Sequence, residues 1–297
     1  MSGRLFVVAT PIGNLSDVTL RALDVLGTVP LVAAEDTRLT RRLIGRHAIE
    51  ARLVSFHARN AAARLPELLA HLRSGADLAL VTDAGTPAVS DPGEELVTAW
   101  AAEGGAVVPI PGPSAVLAAV VGSGVAGPRW SFEGFLPRSG RERRERLARI
   151  AADERASVVF EAPGRVAATL ADLAAACGPD RPGAVCRELT KIHEEFVRAG
   201  LGELAARAAD GSLTLRGEFV LVVGSRPAGR GRRGAGTAET TEVPADAERL
   251  AAARAEVERL VAGGTARGEA ARRVAAATGL ARRSLYGSPS RSRSTPG

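Results

Sequence analysis

The sequence predicts an α/β protein with two α/β domains, a linker and a small helical segment at its C-terminal end. Short β-branched runs alternate with helical patterns between residues 4 and 224. Loops rich in Gly and Pro follow several of these runs. After Gly224 the chain becomes poor in apolar residues and rich in Gly, Arg and Thr, which is typical of a linker.

The first predicted domain spans residues 1–112. Alternating strands and helices of this kind favour a mainly parallel sheet with helices on both faces. We expect its strands at 4–9, 31–34, 53–56, 78–82 and 106–110. We expect its helices at 17–26, with Ser16 as the N-cap, and at 37–46, 61–73 and 92–103.

The second predicted domain spans residues 113–224. Ser114 is expected to cap a helix that reaches about residue 121, and a loop follows at 122–128. We expect strands at 157–161, 184–188 and 218–223, and helices at 166–177 and 201–209. Beyond this domain we expect a disordered linker at 225–246, a small helical domain with a helix-turn-helix at 247–287, and a disordered tail at 288–297.

The positive charge lies in the C-terminal quarter of the chain. Residues 225–297 carry 14 arginines and 7 acidic residues, whereas residues 1–224 hold 25 basic and 26 acidic residues. Such a tail is typical both of solvating segments and of nucleic-acid contacts, and composition leaves both open. Lys191 is the single lysine beside 38 arginines. Either the protein requires an ammonium group at this position, or the lysine has been kept by chance.

Several protein classes are disfavoured. No apolar run approaches the ~20 residues of a membrane span, and the N-terminal run is too short for a signal peptide. Cys177 and Cys186 suggest no disulfide framework, and the four histidines lack zinc-ligand spacing. We therefore expect a cytoplasmic protein without a metal. The sequence also lacks a Walker A motif, a G-x-G-x-x-G after the first strand and a G-x-S-x-G elbow.

Three loops that follow predicted strands are candidates for a ligand site. They have the sequences TPIGN at 10–14, DAGTPAVSDPG at 83–93 and PGPS at 111–114. In an open parallel sheet, ligands bind beyond the carboxyl ends of the strands, and small residues let a ligand approach the backbone. Thr82, Thr86 and Ser90 supply hydroxyls, and Asp83 or Asp91 can accept from a ribose or an ammonium group. Two adjacent tight turns would give the same composition.

The densest polar cluster is RELTKIHEE at residues 187–195. Acidic and basic groups packed so closely at the end of a strand suggest the rim of an active site. A solvated loop with surface ion pairs would have the same sequence.

Nine motifs occur in a fixed order along the chain: VVATPIGNLSDVTLRALDVL, AAEDTRLTRRLI, SFHARN, VTDAGTPAVSDPG, IPGPSAVLAAVVGSG, FEGFLPR, FEAPGRVAATL, CRELTKIHEEFVRAG and RGEFVLVV. Together they resemble the RsmI family of ribosomal RNA methyltransferases, in the tetrapyrrole-methylase superfamily of class III methyltransferases. The resemblance covers about residues 4–224, and residues 260–286 resemble the family's C-terminal domain. Gly164 departs from the pattern, since the family usually has a larger residue before the Arg of its E-x-P-x-R motif.

The resemblance implies two αβα domains with S-adenosylmethionine in the cleft between them, usually in a homodimer. It implies methyl transfer to the 2′-hydroxyl of a cytidine in the decoding region of 16S rRNA, within the small ribosomal subunit. Carried over by position, the cofactor-binding residues are Pro11, Asp83, Ala84, Gly85, Thr86, Ser90, Ser114, Phe160, Glu161, Ala162, Gly217 and Glu218.

The resemblance also implies residues that face the cleft or the RNA. Because a ribose hydroxyl is a weak nucleophile, a base is expected, and Asp36, Glu188 and Glu194 are candidates. Lys191 could orient the hydroxyl or contact a phosphate. The expected RNA-binding residues are Arg38, Arg138, Arg143, Arg144, Arg165, Arg272, Arg273 and Arg282.

Two other functions stay open at this point. A tetrapyrrole C-methylase would share the fold and the cofactor, although the AEDTR and RELTKIHEE motifs and the basic tail argue against it. A non-catalytic RNA-binding protein of ribosome assembly would explain the tail, but not the cofactor-loop motifs.

Overall fold

The computed structural model describes residues 2–226 and 245–285, without the side chains of residues 245–251 and 283. The chain divides into two compact units, Met1–Gly231 and Arg232–Gly297. The predicted linker and C-terminal tail fall almost entirely outside the described residues. No helix in the described ranges is both long and apolar enough to span a membrane.

The first sheet is fully parallel, as predicted. Its strands are β1 Arg4–Val8, β2 Leu31–Ala34, β3 Leu53–Ser55, β4 Leu78–Val81 and β5 Ala106–Ile110, in the order β3-β2-β4-β1-β5. Alternate residues of the central strands enter two different core clusters, with Leu5 in one and Phe6 in the other. Both faces of the sheet are therefore covered, which explains why these strands are nearly continuous apolar runs.

Four helices follow the strands of this sheet: α1 Leu20–Thr28, α2 Thr37–Arg46, α3 Ala61–Arg73 and α4 Glu94–Ala102. The predicted cap Ser16 is wrong. Asn14 instead accepts from the backbone N–H of Ser16 and starts a short 3₁₀ turn, and Thr19 caps α1 by accepting from Ala22 N–H at 3.1 Å. A threonine three residues before the first buried apolar position is the better N-cap signal.

The second sheet is mixed. Its strands are β6 Trp130–Phe135, β7 Ala156–Glu161, β8 Pro182–Arg187, β9 Glu195–Gly200 and β10 Phe219–Val223, in the order β6-β7-β10-β8-β9. Only β6 and β7 pair in parallel, and the other neighbours are antiparallel. Its helices are α5 Ala115–Ser123, α6 Gly140–Ala152, α7 Val166–Cys177 and α8 Leu201–Ala209.

Helix α5 begins at its predicted cap, because Ser114 accepts from Leu117 N–H at 3.4 Å. Val116 and Ala119 of this helix share a core cluster with Val158 of β7, and Ile12 from the first half of the chain joins the same cluster. The loop after β1 therefore packs against the second sheet, so that the loops of both sheets meet.

The second unit is described over α9 Ala245–Ala262, α10 Arg267–Thr278 and a short 3₁₀ turn, Arg282–Leu285. Its core is small and includes Val257, Val274 and Leu285. The two helices and the turn lie in the region predicted as helical, 247–287, except that α9 begins two residues earlier, at Ala245.

Candidate active site

The main cavity has a volume of about 350 Å³ and is lined by loops from both sheets. Ten of the twelve residues expected to bind the cofactor line it: Ala84, Gly85, Thr86, Ser90, Ser114, Phe160, Glu161, Ala162, Gly217 and Glu218. Pro11 and Asp83 line a neighbouring cavity instead. The apolar residues Ile12, Val89, Phe135 and Leu189 and the carboxyl of Asp91 also line the main cavity. Ile12, Val89 and Asp91 lie in loops predicted to form a ligand site, but none of the five residues was among the cofactor-binding residues carried over by position.

The loop after β4 forms one wall of the main cavity and is held in a strained conformation. Ala88 and Ser90 have positive φ angles of 65° and 66°, which residues with a side chain rarely adopt. A two-way backbone bridge between Thr10 and Gly85, with N···O distances of 2.9 and 3.0 Å, ties this loop to the one after β1. The two loops thus form a fixed wall that exposes small side chains and backbone.

Glu188, Lys191 and Glu218 form an ion-pair cluster beside the cavity. Lys191 Nζ lies 2.9 Å from Glu188 Oε1 and 3.0 Å from Glu218 Oε2. Glu218 N–H donates to Glu188 Oε1 at 2.9 Å, and this bond together with the Lys191 ammonium lowers the pKa of Glu188. A Cβ at Gly13 would lie 2.5 Å from Lys191 Cγ, so the lysine stem lies directly over the loop after β1.

Glu161 is the fully buried carboxylate of the opposite wall. It accepts from Ala162 N–H at 2.9 Å and from the Thr169 hydroxyl at 2.6 Å, and its Oε1 lies 3.1 Å from Arg165 Nε. Arg165 also donates to the carbonyl of Leu136. Both charged groups therefore fix the end of β7, and Arg165 is only partly exposed.

Arg143 continues this network, and its predicted RNA contact is wrong. The residue is 8% exposed. It donates to Asp172 Oδ2 at 2.8 Å, to the Pro137 carbonyl at 2.9 Å and to the Thr169 hydroxyl at 3.0 Å. A buried guanidinium that donates to these three partners is not free to contact a phosphate.

Three carboxyl groups cluster near the loop after β4, and all have raised pKa values. Burial, followed by the charges of Glu35 and Asp83, raises the pKa of Asp91 to about 6. Burial is also the main cause of the raised pKa values of Glu35 and Asp83. Asp91 is the member of this group that lines the main cavity, and a carboxyl with such a pKa suits proton transfer near neutral pH.

The four residues expected to act in catalysis do not line the main cavity. Asp36 caps α2, and its hydrogen bonds to Arg38 lower its pKa to about 2, which makes it a weak base. Glu194 accepts from Thr190 N–H at 2.7 Å. Glu188 and Lys191 are held in the ion-pair cluster next to Glu218, which does line the cavity.

The other arginines expected to bind RNA lie on the surface. Arg138, Arg144, Arg272 and Arg273 are exposed and have no ion pair or hydrogen bond within the described ranges. Arg38 is exposed and paired with Asp36. Arg282 is exposed and donates to the Gly268 carbonyl.

The main cavity suits S-adenosylmethionine by its chemistry. Its apolar residues can contact a purine and exclude water, while Thr86, Ser90 and Ser114 offer hydroxyls. The carboxyl of Asp91 complements a cationic ligand when it is ionised. The strained loop exposes backbone to the cavity, where it can bind polar edges of the ligand.

Comparison with known proteins shows which family this chain belongs to. The family model for Tetrapyrrole (Corrin/Porphyrin) Methylases matches residues 4–205. The chain is 44% identical to Ribosomal RNA small subunit methyltransferase I of Synechocystis sp., over 96% of each chain. It is 44% identical to the protein of the same name from Mycobacterium tuberculosis, over 100% of this chain and 98% of that one.

Solved structures agree on the fold. Uroporphyrin-III C-methyl transferase from Thermus thermophilus, complexed with S-adenyl homocysteine, matches 75% of this chain and 97% of its own with a TM-score of 0.55 at 22% identity. These findings confirm the resemblance carried by the nine motifs. The chain belongs to the tetrapyrrole methylases and, within them, to the ribosomal RNA small subunit methyltransferase I family, whose members use S-adenosylmethionine.

Proposed function

We propose that the protein transfers the methyl group of S-adenosylmethionine to the 2′-hydroxyl of a cytidine in the decoding region of 16S rRNA, within the small ribosomal subunit. The observation that carries this proposal is the main cavity, whose lining combines the cofactor loops with Gly217 and Glu218, beside the Glu188–Lys191 ion pair. The relatives named for the small-subunit RNA match nearly the whole chain, including its basic C-terminal unit.

The chain's own residues orient and enclose the reactants. When bound, S-adenosylmethionine supplies an electrophilic methyl group on a sulfonium. The strained loop at 83–93 and the hydroxyls of Thr86, Ser90 and Ser114 would hold the cofactor in one orientation. Orientation of this kind can contribute about 7–11 kcal/mol to lowering a barrier. Ile12, Val89 and Phe135 give the cavity an apolar lining that a bound cofactor would cover, which would reduce access of water to the reacting atoms.

Asp91 is the group best suited to take the proton from the ribose hydroxyl. It lines the main cavity, and its pKa of about 6 makes it a much stronger base than Asp36, whose pKa is about 2. The charge of Asp83, which lines the neighbouring cavity, contributes to its raised pKa. Asp91 therefore lines the main cavity and interacts electrostatically with a carboxyl group of the neighbouring one.

The RNA is expected to be bound mainly through its phosphates and its shape. Arg138 and Arg144 near α6, and Arg272 and Arg273 on α10, are exposed and unpaired in the described parts of the chain. Phosphate contacts of this kind position an RNA without reading its sequence. The chain has only seven Phe, two Trp and one Tyr, too few for an extended stacking platform.

The test is methyl transfer to three acceptors under identical conditions: small ribosomal subunits that lack the modification, free 16S rRNA, and a porphyrinogen. We expect label on the subunits, with less on free RNA and none on the porphyrinogen. Label on the porphyrinogen alone would identify a tetrapyrrole methylase. Cofactor binding without transfer to any acceptor would contradict an rRNA methyltransferase.

We also propose that the protein is a homodimer. Leu20, Leu117, Val121 and Ile192 are exposed, with Val121 81% and Ile192 93% accessible. A shallow cavity lined by Thr19, Ala118 and Thr190 places the segments that carry these side chains next to one another. Size-exclusion chromatography with light scattering should give a dimer for the native chain and for Ala148→Arg, and a monomer for Val121→Arg. A monomeric native protein would rule out the dimer.

A further inference from the structure

A second cavity, of about 180 Å³, lies beside the main one. The loops after β1 and β4 contribute Thr10, Pro11, Thr82 and Asp83, and helix α2 contributes Leu39 and Arg42. The next residues along the same two loops, Ile12 and Ala84, line the main cavity. Because neighbouring residues of these loops line both cavities, the two cavities lie side by side along these loops.

Thr82 carries a polar group that the fold does not use. The residue is 2% exposed, and its carbonyl accepts from the Thr10 hydroxyl at 3.1 Å. Its own hydroxyl is buried and has no hydrogen-bond partner in the described parts of the protein. A buried hydroxyl without a partner costs stability, so its presence in the lining of a cavity points to a ligand that supplies the partner.

Helix α2 places positive charge at the rim of this cavity. It contains four arginines and no acidic residue. Arg38 is paired with Asp36, whereas Arg41 and Arg42 are exposed and make no ion pair or hydrogen bond to any described residue. Arg42 is the arginine that lines the cavity.

The charges inside the cavity differ from those at its rim. Asp83 lines the cavity, and its Oδ1 accepts from Asp36 N–H at 2.9 Å, which leaves Oδ2 for a ligand. Glu35 lies next to it, since Glu35 Oε2 accepts from Asp83 N–H at 3.2 Å. These carboxyl groups disfavour a phosphate inside the cavity and favour hydroxyl or amino donors there, while the guanidinium at the rim favours a phosphate.

We infer that this second cavity receives the sugar and base of the acceptor nucleotide, with the Thr82 hydroxyl bonded to that nucleoside and Arg42 bound to an adjacent phosphate. The inference rests on the proposed function and adds the place where the RNA enters. Pro11 and Leu39 offer apolar surface to a base that has left its stack. Asp83 can accept from the exocyclic amino group of a cytosine or from a ribose hydroxyl.

The test uses the full chain and three variants: Arg42→Gln, Thr82→Val, and the control Arg46→Gln. Arg46 is exposed on the same helix one turn further on and does not line the cavity. Methyl transfer to small ribosomal subunits that lack the modification gives KM and kcat at several salt concentrations. Calorimetric titration gives the affinity for S-adenosylmethionine, and thermal unfolding gives Tm.

Arg42→Gln should raise KM for the subunit about tenfold. The loss of one phosphate contact should also reduce the magnitude of the slope of log(kcat/KM) against log salt concentration by about 0.7. Thr82→Val should lower kcat at least tenfold while Tm stays the same or rises, because a buried unpaired hydroxyl has been removed. Arg46→Gln should change KM less than twofold, and all three variants should bind S-adenosylmethionine as the native chain does.

Different failures overturn different claims. If the native chain transfers methyl groups but Arg42→Gln behaves like Arg46→Gln, or Thr82→Val keeps its kcat, the second cavity does not hold the acceptor. If Arg42→Gln or Thr82→Val weakens S-adenosylmethionine binding tenfold, the cavity belongs to the cofactor site. If the native chain transfers no methyl group to the subunits, the proposed function itself fails.

Discussion

Asp91 differs from the other carboxyl groups of the site by its environment. Glu161 is surrounded by donors and Glu188 is paired with Lys191, whereas burial and two neighbouring carboxyl groups raise the pKa of Asp91 to about 6. The rate of methyl transfer should therefore fall below about pH 6, where Asp91 becomes protonated, and Asp91→Asn should be slow without this acidic limb. Measurement of kcat between pH 5 and 8 for both chains tests this, and an Asn variant with the native rate and pH profile would exclude Asp91 as the base.

The same carboxyl should influence stability in a defined direction. Because its pKa is raised in the folded state, the ionised form disfavours folding, and stability should fall as the pH rises from about 4 through about 6. Asp91→Asn should equal the native chain near pH 4 and be more stable at pH 7. Urea denaturation at the two pH values measures the difference and shows that the variant is folded.

Glycine is required at position 217 both by the backbone conformation there and by the neighbouring side chain of Glu188. Its φ is +100°, and a Cβ there would lie 2.6 Å from the side chain of Glu188. Gly217→Ala should reduce the free energy of unfolding by about 1–3 kcal/mol from backbone strain alone, and further because Glu188 must move away from Lys191. Gly178, with φ +94° and no atom within 4 Å of a Cβ, is the matched control. Equal losses for Gly217→Ala and Gly178→Ala in urea denaturation would show that the ion-pair cluster is not involved.

At the scale of elements, helix α6 shows that one arginine of a basic segment can be buried and have a structural role. Arg143, Leu147 and Ile150 are its buried residues and follow the i, i+4, i+7 spacing of one helical face. This spacing was the signal in the sequence that Arg143 points inward. Arg143 and Arg144 were both expected to bind RNA, but only Arg144 lies on the exposed face.

Arg143→Met should therefore destabilise the protein by about 2 kcal/mol, since the buried Thr169 hydroxyl and the half-exposed Asp172 carboxylate lose a charged donor. Arg144→Met, one residue further on the exposed face, should change stability by no more than about 0.5 kcal/mol. Urea denaturation of both variants measures these effects. Equal stability of the two variants would mean that the Arg143 network contributes nothing to the fold.

The central strands and the site loops could be predicted from the sequence, because their signals are local. Buried parallel strands are apolar runs, and the loops after them contain Gly, Pro and hydroxyl residues. Strands β6 and β9 were not predicted, since they are the edges of the second sheet and are only half-buried. The pKa of Asp91 could not be predicted either, because burial and the charges of Glu35 and Asp83 come together only in the folded chain.

At the scale of the whole molecule, the charge is unevenly distributed. Residues 1–224 are close to neutral, and the C-terminal quarter carries the excess of arginine. Deletion of residues 225–297 should therefore weaken binding to the small ribosomal subunit and reduce its dependence on salt, because fewer phosphate contacts release fewer counterions. Affinity for S-adenosylmethionine should not change, since the main cavity is lined by residues 12–220.

Subunit binding of the full and shortened chains at 50 and 200 mM salt measures this effect, with calorimetric titration of the cofactor as the control. Identical salt slopes for the two chains would show that the tail only solvates the protein. Loss of cofactor binding on deletion would show instead that the first unit depends on the second for its fold.

The most direct test of the proposed function is to determine which atom of the RNA receives the methyl group. Small subunits that lack the modification are incubated with labelled S-adenosylmethionine, and the 16S rRNA is then digested with alkali and analysed by mass spectrometry. We predict one labelled dinucleotide that resists alkali, because a methylated 2′-oxygen cannot attack the phosphate, and that contains a cytidine from the decoding region. Label on a base, or on an alkali-sensitive mononucleotide, would contradict methyl transfer to the ribose hydroxyl.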